Sequence, residues 1–148
     1  MSIRTWLLAI IFLFLLLCSC QSPPATARVT QVIDGDTLII EGGYKVRYIG
    51  IDTPEVYPRL EVYGMEAWQA NRKLVEGKRV RLERDVSDTD KYGRLLRYVY
   101  VDNVLVSGEL VRQGLARAKA YPPDTKYQDY LEEMEAEARK AGRGLWAK

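Results

Sequence analysis

A succession of short β-type segments cut apart by turn residues constrains this chain more than any other feature. Arg28 to Ile33 alternates and is rich in β-formers. Asp34-Gly35-Asp36 turns it into Thr37 to Ile40, and Glu41-Gly42-Gly43 turns it again into Tyr44 to Ile51. Asp52-Thr53-Pro54-Glu55 leaves that third strand, because Pro54 has no amide hydrogen to give a central ladder. Gly64 to Glu76 has helical spacing, with Met65, Trp68 and Leu74/Val75 on one side and Gly77 as a stop. Arg79 to Val86 reads as a strand, Ser87 to Gly93 as a polar loop, and Arg94 to Val101 pairs with Val104 to Val106 across Asp102-Asn103. Ser107 is placed to cap a short helix ending at Gly114, and Leu115 to Lys119 reads as a last strand that Pro122-Pro123 breaks. Thr125-Lys126-Tyr127-Gln128 fits a capping box. The helix after it sets Tyr127, Tyr130, Leu131, Met134, Ala138 and Ala141 on one face, and beyond Gly142 and Gly144 the pair Leu145-Trp146 folds back. This order predicts a small β-barrel with helices attached, an α+β chain that is mainly β.

Residues 1–19 fall outside that pattern. Met1 to Arg4 carries one positive charge, and Trp6 to Leu17 is an unbroken apolar run. The run is shorter than the ~20 residues a spanning helix needs and suits the core of a signal peptide. Leu17-Cys18-Ser19-Cys20 resembles the bacterial lipobox, in which an aliphatic residue and small residues precede the cysteine that is lipidated after cleavage. Cys20 is the candidate, because Ser19 before it is small whereas Leu17 before Cys18 is bulky. On this reading residues 1–19 are a lipoprotein-type signal peptide and 20–27 a tether, with one folded domain over 28–148. The product is exported from a bacterial cell and held at a membrane by a lipid on Cys20. An ordinary signal peptide, giving a secreted or periplasmic soluble product, and an uncleaved anchor are the alternatives. In every case the folded part has no disulfide, because Cys18 and Cys20 are the only cysteines.

Charge and composition narrow the chemistry. Removing the leader takes away Arg4 alone, which leaves 21 basic and 20 acidic residues. Attraction to a polyanion must therefore be local. The chain has no histidine, which excludes Ser-His triads, histidine phosphodiesterases and the usual zinc sites. Acid–base or metal chemistry falls to carboxylates, Tyr, Lys and Arg. Nothing in the sequence points to an oligomer.

Three constellations carry such chemistry. Asp34-Gly35-Asp36-Thr37 flanks a glycine with two carboxylates, so that oxygen ligands converge on a hard cation, unless the segment is only a turn. In Val46 to Glu55, Arg47 interrupts an apolar strand and requires an anionic partner, with Asp52 and Glu55 where the strand ends. Arg47 and Asp52 are five apart, which on a straight strand means opposite faces, so they meet only if the strand bends or stops near Gly50. A structural salt bridge is the plain alternative. Thr89 to Arg94 gathers Lys91, Tyr92 and Arg94 around a glycine, a loop suited to a phosphate or simply to solvent.

Taken together and in this order, the motifs resemble the staphylococcal nuclease (thermonuclease) family. The matching pieces are Val32 to Thr37, Arg47 with Ile51-Asp52-Thr53-Pro54-Glu55, Tyr63-Gly64 with Glu66-Ala67, Asp90 to Arg94, and Leu110 to Ala116, within a span from about Arg28 to Trp146. The resemblance implies a five-stranded OB-fold barrel with three helices, and Ca²⁺-dependent cleavage of DNA and RNA. It also implies roles: Asp36 and Asp52 as direct metal ligands, Thr53 as a ligand through its carbonyl, and Asp34 near the ion through water. Glu55 is then the general base or the group that positions water, Arg47 and Arg94 grip the scissile phosphate, and Lys91 and Tyr92 lie near a terminal phosphate. The residue types suit the reaction independently. A phosphodiester gains negative charge in its transition state, which a cation and two guanidiniums stabilise selectively, and a carboxylate can take a proton from water.

The chain departs from the family pattern in the shorter stretch between Glu55 and Tyr63, and in Arg117-Ala118-Lys119-Ala120-Tyr121-Pro122, where Tyr121 alone stands for two nucleotide-binding tyrosines. The near-neutral charge implies modest, salt-sensitive affinity. The rival reading is a catalytically inactive OB-fold module that binds nucleic acid or protein. A degenerate copy of that kind loses Arg47, Glu55, Arg94 or the Asp ligands, and all are present here.

Overall fold

Alternation along each strand decides which side chains enter the interior. In β3 (Lys45–Tyr48) burial runs exposed, buried, half-buried, buried, so Val46 and Tyr48 face inward and Arg47 faces out. The same alternation in β1 (Thr26–Val32) buries Ala27 and Val29, and a register shift between Val29 and Gln31 then turns Val32 inward. In β5 (Arg79–Glu83) it buries Val80 and Leu82. The computed structural model describes residues 22–148; the expected signal peptide over 1–19 and the lipidation candidate Cys20 lie outside the described residues.

These strands close into a barrel. β1 pairs antiparallel with β2 (Thr37–Ile40), β2 antiparallel with β3, and β1 antiparallel with β5. β6 (Leu95–Val101) is antiparallel to β5 and parallel to β3, with Val46 opposite Leu95, and this last pairing closes the ring. The result is the expected five-stranded mixed barrel with three helices, α+β and mainly β. Its interior holds Leu38, Ile40, Val46, Tyr48, Val80 and Val99, each at most 1% exposed. With no disulfide in the described residues, such burial, at about 1.5–3 kcal/mol per large aliphatic side chain, holds the barrel together.

Two short strands sit outside the ring. β4 (Ile51–Asp52) follows β3 after a break at Gly50, and β8 (Arg117–Ala118) pairs with it, Ile51 opposite Ala118 and Asp52 opposite Arg117. β7 (Val104–Leu105) completes the hairpin from β6 through Asp102 and Asn103, both at positive φ as that dipeptide predicts. α1 (Gly64–Val75), α2 (Val106–Arg112) and α3 (Gln128–Ala141) pack on the barrel and on one another. A 3₁₀ turn (Gly144–Trp146) folds back, and the Leu145 amide donates to the Gly114 carbonyl at 2.8 Å.

Several local expectations need correction. β1 begins at Thr26 rather than Arg28, because Thr26 and Ala27 already pair with Arg81 and Val80. The third predicted strand breaks in two at Gly50. β5 stops at Glu83 rather than Val86, since the Val86 and Ser87 amides turn to Asp124 Oδ1 at 3.0 and 2.7 Å. The last strand is only Arg117–Ala118. Ser107 is not a cap: α2 starts from Leu105, and the Ser107 hydroxyl lies buried inside the helix without a hydrogen-bond partner. The capping box does not form either, because α3 starts after Tyr127 and the Gln128 side chain donates through Nε2 to Glu132 Oε1 at 2.9 Å instead. On its face Leu131 and Ala138 are fully buried, whereas Tyr130 and Ala141 are exposed.

Candidate active site

The turn between β1 and β2 is closed by the Ile33 and Asp34 amides donating to the Thr37 carbonyl at 2.9 and 3.3 Å. Asp34 Oδ1 accepts the Asp36 amide at 3.0 Å, the local bond that suits Asp to such a turn. Gly35 is required by contact: a Cβ there would come within 2.7 Å of the Thr53 side chain. α1 fixes the turn from behind. Asn71, fully buried, donates through Nδ2 to the Asp34 carbonyl at 3.0 Å, and its Oδ1 accepts the Tyr48 hydroxyl at 2.7 Å.

Arg47 joins this turn to the end of the broken strand. Its Nη1 lies 2.9 Å from Asp36 Oδ2, and its Nη2 donates to Asp52 Oδ1 at 3.3 Å. The meeting depends on Gly50, whose φ of +82° turns the chain between β3 and β4. Asp36 is buried and receives two further bonds, from the Thr53 amide to Oδ2 at 3.0 Å and from the Thr37 hydroxyl to Oδ1 at 3.2 Å. Thr53 is buried too and enters the site through this N–H. Asp52 is more open, and its second oxygen accepts Lys119 Nζ at 2.9 Å. Glu55 follows on an exposed loop tied at both ends. The Glu55 amide donates to Glu61 Oε2 at 3.0 Å, and the Glu61 amide donates to the Glu55 carbonyl at 2.9 Å.

The carboxylates crowd one another electrostatically. Burial pushes the Asp36 carboxyl up to about 6, with Asp34 adding to the rise and Arg47 and the Thr53 amide opposing it. Partial desolvation raises Glu55 above the usual glutamate range, helped by Asp36, Asp52 and Glu61 and opposed by Arg47. A carboxylate poised upward in this way is better matched to taking a proton near neutral pH.

On the other side of Arg47 opens a cleft of about 420 Å³, lined among others by Lys91, Tyr92, Arg94 and Tyr121. Arg94 Nε donates to Asp90 Oδ2 at 2.7 Å. The Arg94 side chain, with the Arg94 and Tyr92 amides, holds the Asp90 carboxyl below its usual range against the effect of burial. Asp90 thereby shapes the loop that presents Lys91, Tyr92 and Arg94. Tyr92 is largely exposed at the rim. Asp36, Asp52 and Glu55 do not line this cleft; Arg47 both borders it and pairs with Asp36 and Asp52.

Sequence reasoning missed three participants. Lys119 reaches Asp52 only because β8 pairs with β4, a contact across 67 residues that no local motif announces. Asn71 reads as one more polar position on a helix. Glu61 lies six residues beyond Glu55 in what reads as a plain loop. Cys20 lies outside the described residues.

With this geometry in place, comparison with known proteins is decisive. A family described as "Staphylococcal nuclease homologue" matches residues 45–148. The chain belongs to the staphylococcal nuclease family. It is 41% identical over 128 residues to a "Thermonuclease" of Staphylococcus hyicus, covering 82% of this chain and 76% of that one. It is 44% identical over 124 residues to a "Thermonuclease" of Staphylococcus intermedius, covering 80% and 74%. It is also 44% identical over 136 residues to "Endonuclease YncB" of Bacillus subtilis (strain 168), covering 86% and 64%.

The family implies a calcium ion, and the donor set here fits one in part. Among the described residues no three carboxylates gather into a ready-made cage. What is present is Asp36 and Asp52, hard oxygen donors joined through one guanidinium, with the Asp36 carboxyl raised by burial even beside Arg47. Such a pair suits a hard divalent cation that completes its shell with carbonyl, water and substrate oxygens.

Proposed function

We propose that this member of the staphylococcal nuclease family is a nuclease that hydrolyses phosphodiester bonds in DNA and RNA and uses Ca²⁺. The observation that carries the reading is the Arg47 fork, which holds Asp36 and Asp52 on one side and borders the cleft with Arg94, Lys91, Tyr92 and Tyr121 on the other. A strand laid in that cleft presents its phosphate to two guanidiniums, whose planar donors match phosphate oxygens. Tyr92 and Tyr121 offer aromatic faces to bases. Glu55, on the carboxylate side, accepts the proton of the attacking water or holds that water in line. Asp36, Asp52 and the Thr53 carbonyl, with Asp34 near them, would hold the cation, which would supply charge stabilisation at the phosphate. Arg47 and Arg94 add to that stabilisation as charge grows on the phosphoryl oxygens.

We extend the proposal to location. The apolar run Trp6 to Leu17 and the Ser19-Cys20 junction support export from a bacterial cell with a lipid on Cys20. Labelling cells with a radioactive fatty acid should mark the wild-type chain and leave Cys20→Ala unmarked; equal labelling would exclude this anchor.

The activity is tested by incubating the purified protein with single-stranded DNA, duplex DNA and RNA in Ca²⁺, Mg²⁺ or EDTA. Shortened products in Ca²⁺ and intact strands in EDTA support the reading. A folded protein that binds strands but cuts none in either metal would make it a binding module.

A further inference from the structure

Asp52 differs from Asp36 in what holds its oxygens. Asp36 is buried, and its bonds come from Arg47, the Thr53 amide and the Thr37 hydroxyl, all fixed by the barrel or its turns. Asp52 is open on one side: Oδ1 accepts Arg47 Nη2, while Oδ2 is held by Lys119 Nζ at 2.9 Å. Lys119 is delivered there by backbone structure. Arg117 pairs with Asp52, and the Lys119 amide donates to the Gly50 carbonyl at 2.9 Å, so its Cα sits just past the end of β8, beside the bend that sets Asp52. Beyond its Cα the side chain is a long arm, 51% exposed, with Nζ also 5.3 Å from the centre of the Tyr121 ring at the cleft edge. An exposed pair of this kind contributes little to folding stability and is readily exchanged.

We propose that Lys119 is a tethered counter-ion that competes with the divalent cation for Asp52 Oδ2. Asp52 has two oxygens, each already engaged by a positive group, and Arg47 pairs with two carboxylates whereas Lys119 pairs with Asp52 alone. Lys119 is therefore the group that yields when Asp52 takes a cation, and its charge works against that cation for as long as it stays. It is a positioning residue: it keeps Asp52 compensated without the ion and sets how tightly the ion binds. The Tyr121 ring gives the displaced ammonium a resting place at the cleft edge. This inference rests on the cation reading above, but it concerns affinity, not turnover.

The test is calorimetric titration of Ca²⁺ into the purified full-length chain and into Lys119→Met, Lys119→Gln and Lys119→Arg, at low ionic strength and without nucleic acid. The two uncharged variants should bind Ca²⁺ about three- to tenfold more tightly than wild type, since a nearby positive charge and an exchanging partner are both removed. Lys119→Arg should stay close to wild type, and thermal midpoints in EDTA should be alike for all four. Unchanged or weaker Ca²⁺ binding in Lys119→Met and Lys119→Gln, with wild type binding normally, overturns the competition and leaves the nuclease reading intact. No Ca²⁺ binding by any of the four overturns both.

Discussion

The side-chain amide of Asn71 donates to the main-chain carbonyl of Asp34 at 3.0 Å, and so a buried helix residue holds the carboxylate turn. Its other end accepts the Tyr48 hydroxyl at 2.7 Å, inside the strand that carries Arg47. Asn71→Leu strands both partners in a dry environment. We expect a loss of about 2–4 kcal/mol in urea unfolding, and a lower cleavage rate under conditions where the variant is still folded. A variant as stable as wild type would show that the turn holds itself.

Gly50 sets the bend that lets Arg47 and Asp52 meet. A side chain there is strained at φ +82°, and its Cβ would lie 2.5 Å from Leu131 Cδ1. Gly50→Ala should cost about 1–3 kcal/mol in the same unfolding measurement. It should also weaken cleavage more than a mutation of equal cost on the far side of the barrel.

Glu55 is assigned the proton of the attacking water, a role that needs its ionised form. Its carboxyl is raised by partial burial and by Asp36, so activity should rise with pH along a limb lying above the usual glutamate range. Glu55→Gln removes the base without touching Arg47, Asp36 or Asp52, and should lower kcat by roughly 10²–10⁴. With Ca²⁺ saturating at every pH, so that Asp36 ionisation does not limit the rate, it should also abolish that acid limb in the pH–rate profile. A limb that survives the substitution assigns it to another group.

Asp36 carries the opposite consequence for stability. Its folded value of about 6 exceeds its ordinary 3.8, so the unfolded chain loses this proton first. The contribution is fully present below pH 3.8 and is lost as pH rises through about 6, leaving the ion-free protein less stable near neutrality. A cation needs the ionised carboxylate, so the gain in thermal midpoint from Ca²⁺ should be small near about pH 5 and several-fold larger near about pH 7.5. An equal gain at both pH values would remove Asp36 from the cation site.

Much of this was legible in the sequence where the signal is local. Turn dipeptides and period-two alternation are written in neighbouring residues, which is why β2 and the Asp102-Asn103 turn emerge as read, although Val106 opens α2 instead of ending the hairpin. Arg47 in an apolar strand announced that it needs an anion, and Gly50 announced where the chain could bend to supply one. Pairings across long separations were silent. Lys119 on Asp52, and Asp124 drawing the Val86 and Ser87 amides out of β5, depend on β8 and the segment after it returning to strands far earlier in the chain. The two misplaced caps fail for a related reason. Ser107 and Thr125 fit cap positions by type, but the packing of α2 and α3 sets the helix starts, and Ser107 is buried by that packing.

The central claim is that Arg47 links the carboxylate pair to the phosphate. Its most direct test is the single-turnover cleavage rate of single-stranded DNA at saturating Ca²⁺, compared among wild type, Arg47→Lys and Arg47→Ala, with Ca²⁺ binding measured on each. We expect Arg47→Ala to lose roughly 10²–10³ in rate while still binding Ca²⁺, and Arg47→Lys to recover only part, because a lysine cannot bridge two carboxylates and a phosphate at once. An Arg47→Ala protein that cuts within a few-fold of wild type, or a wild type that cuts equally well in EDTA, would contradict the claim.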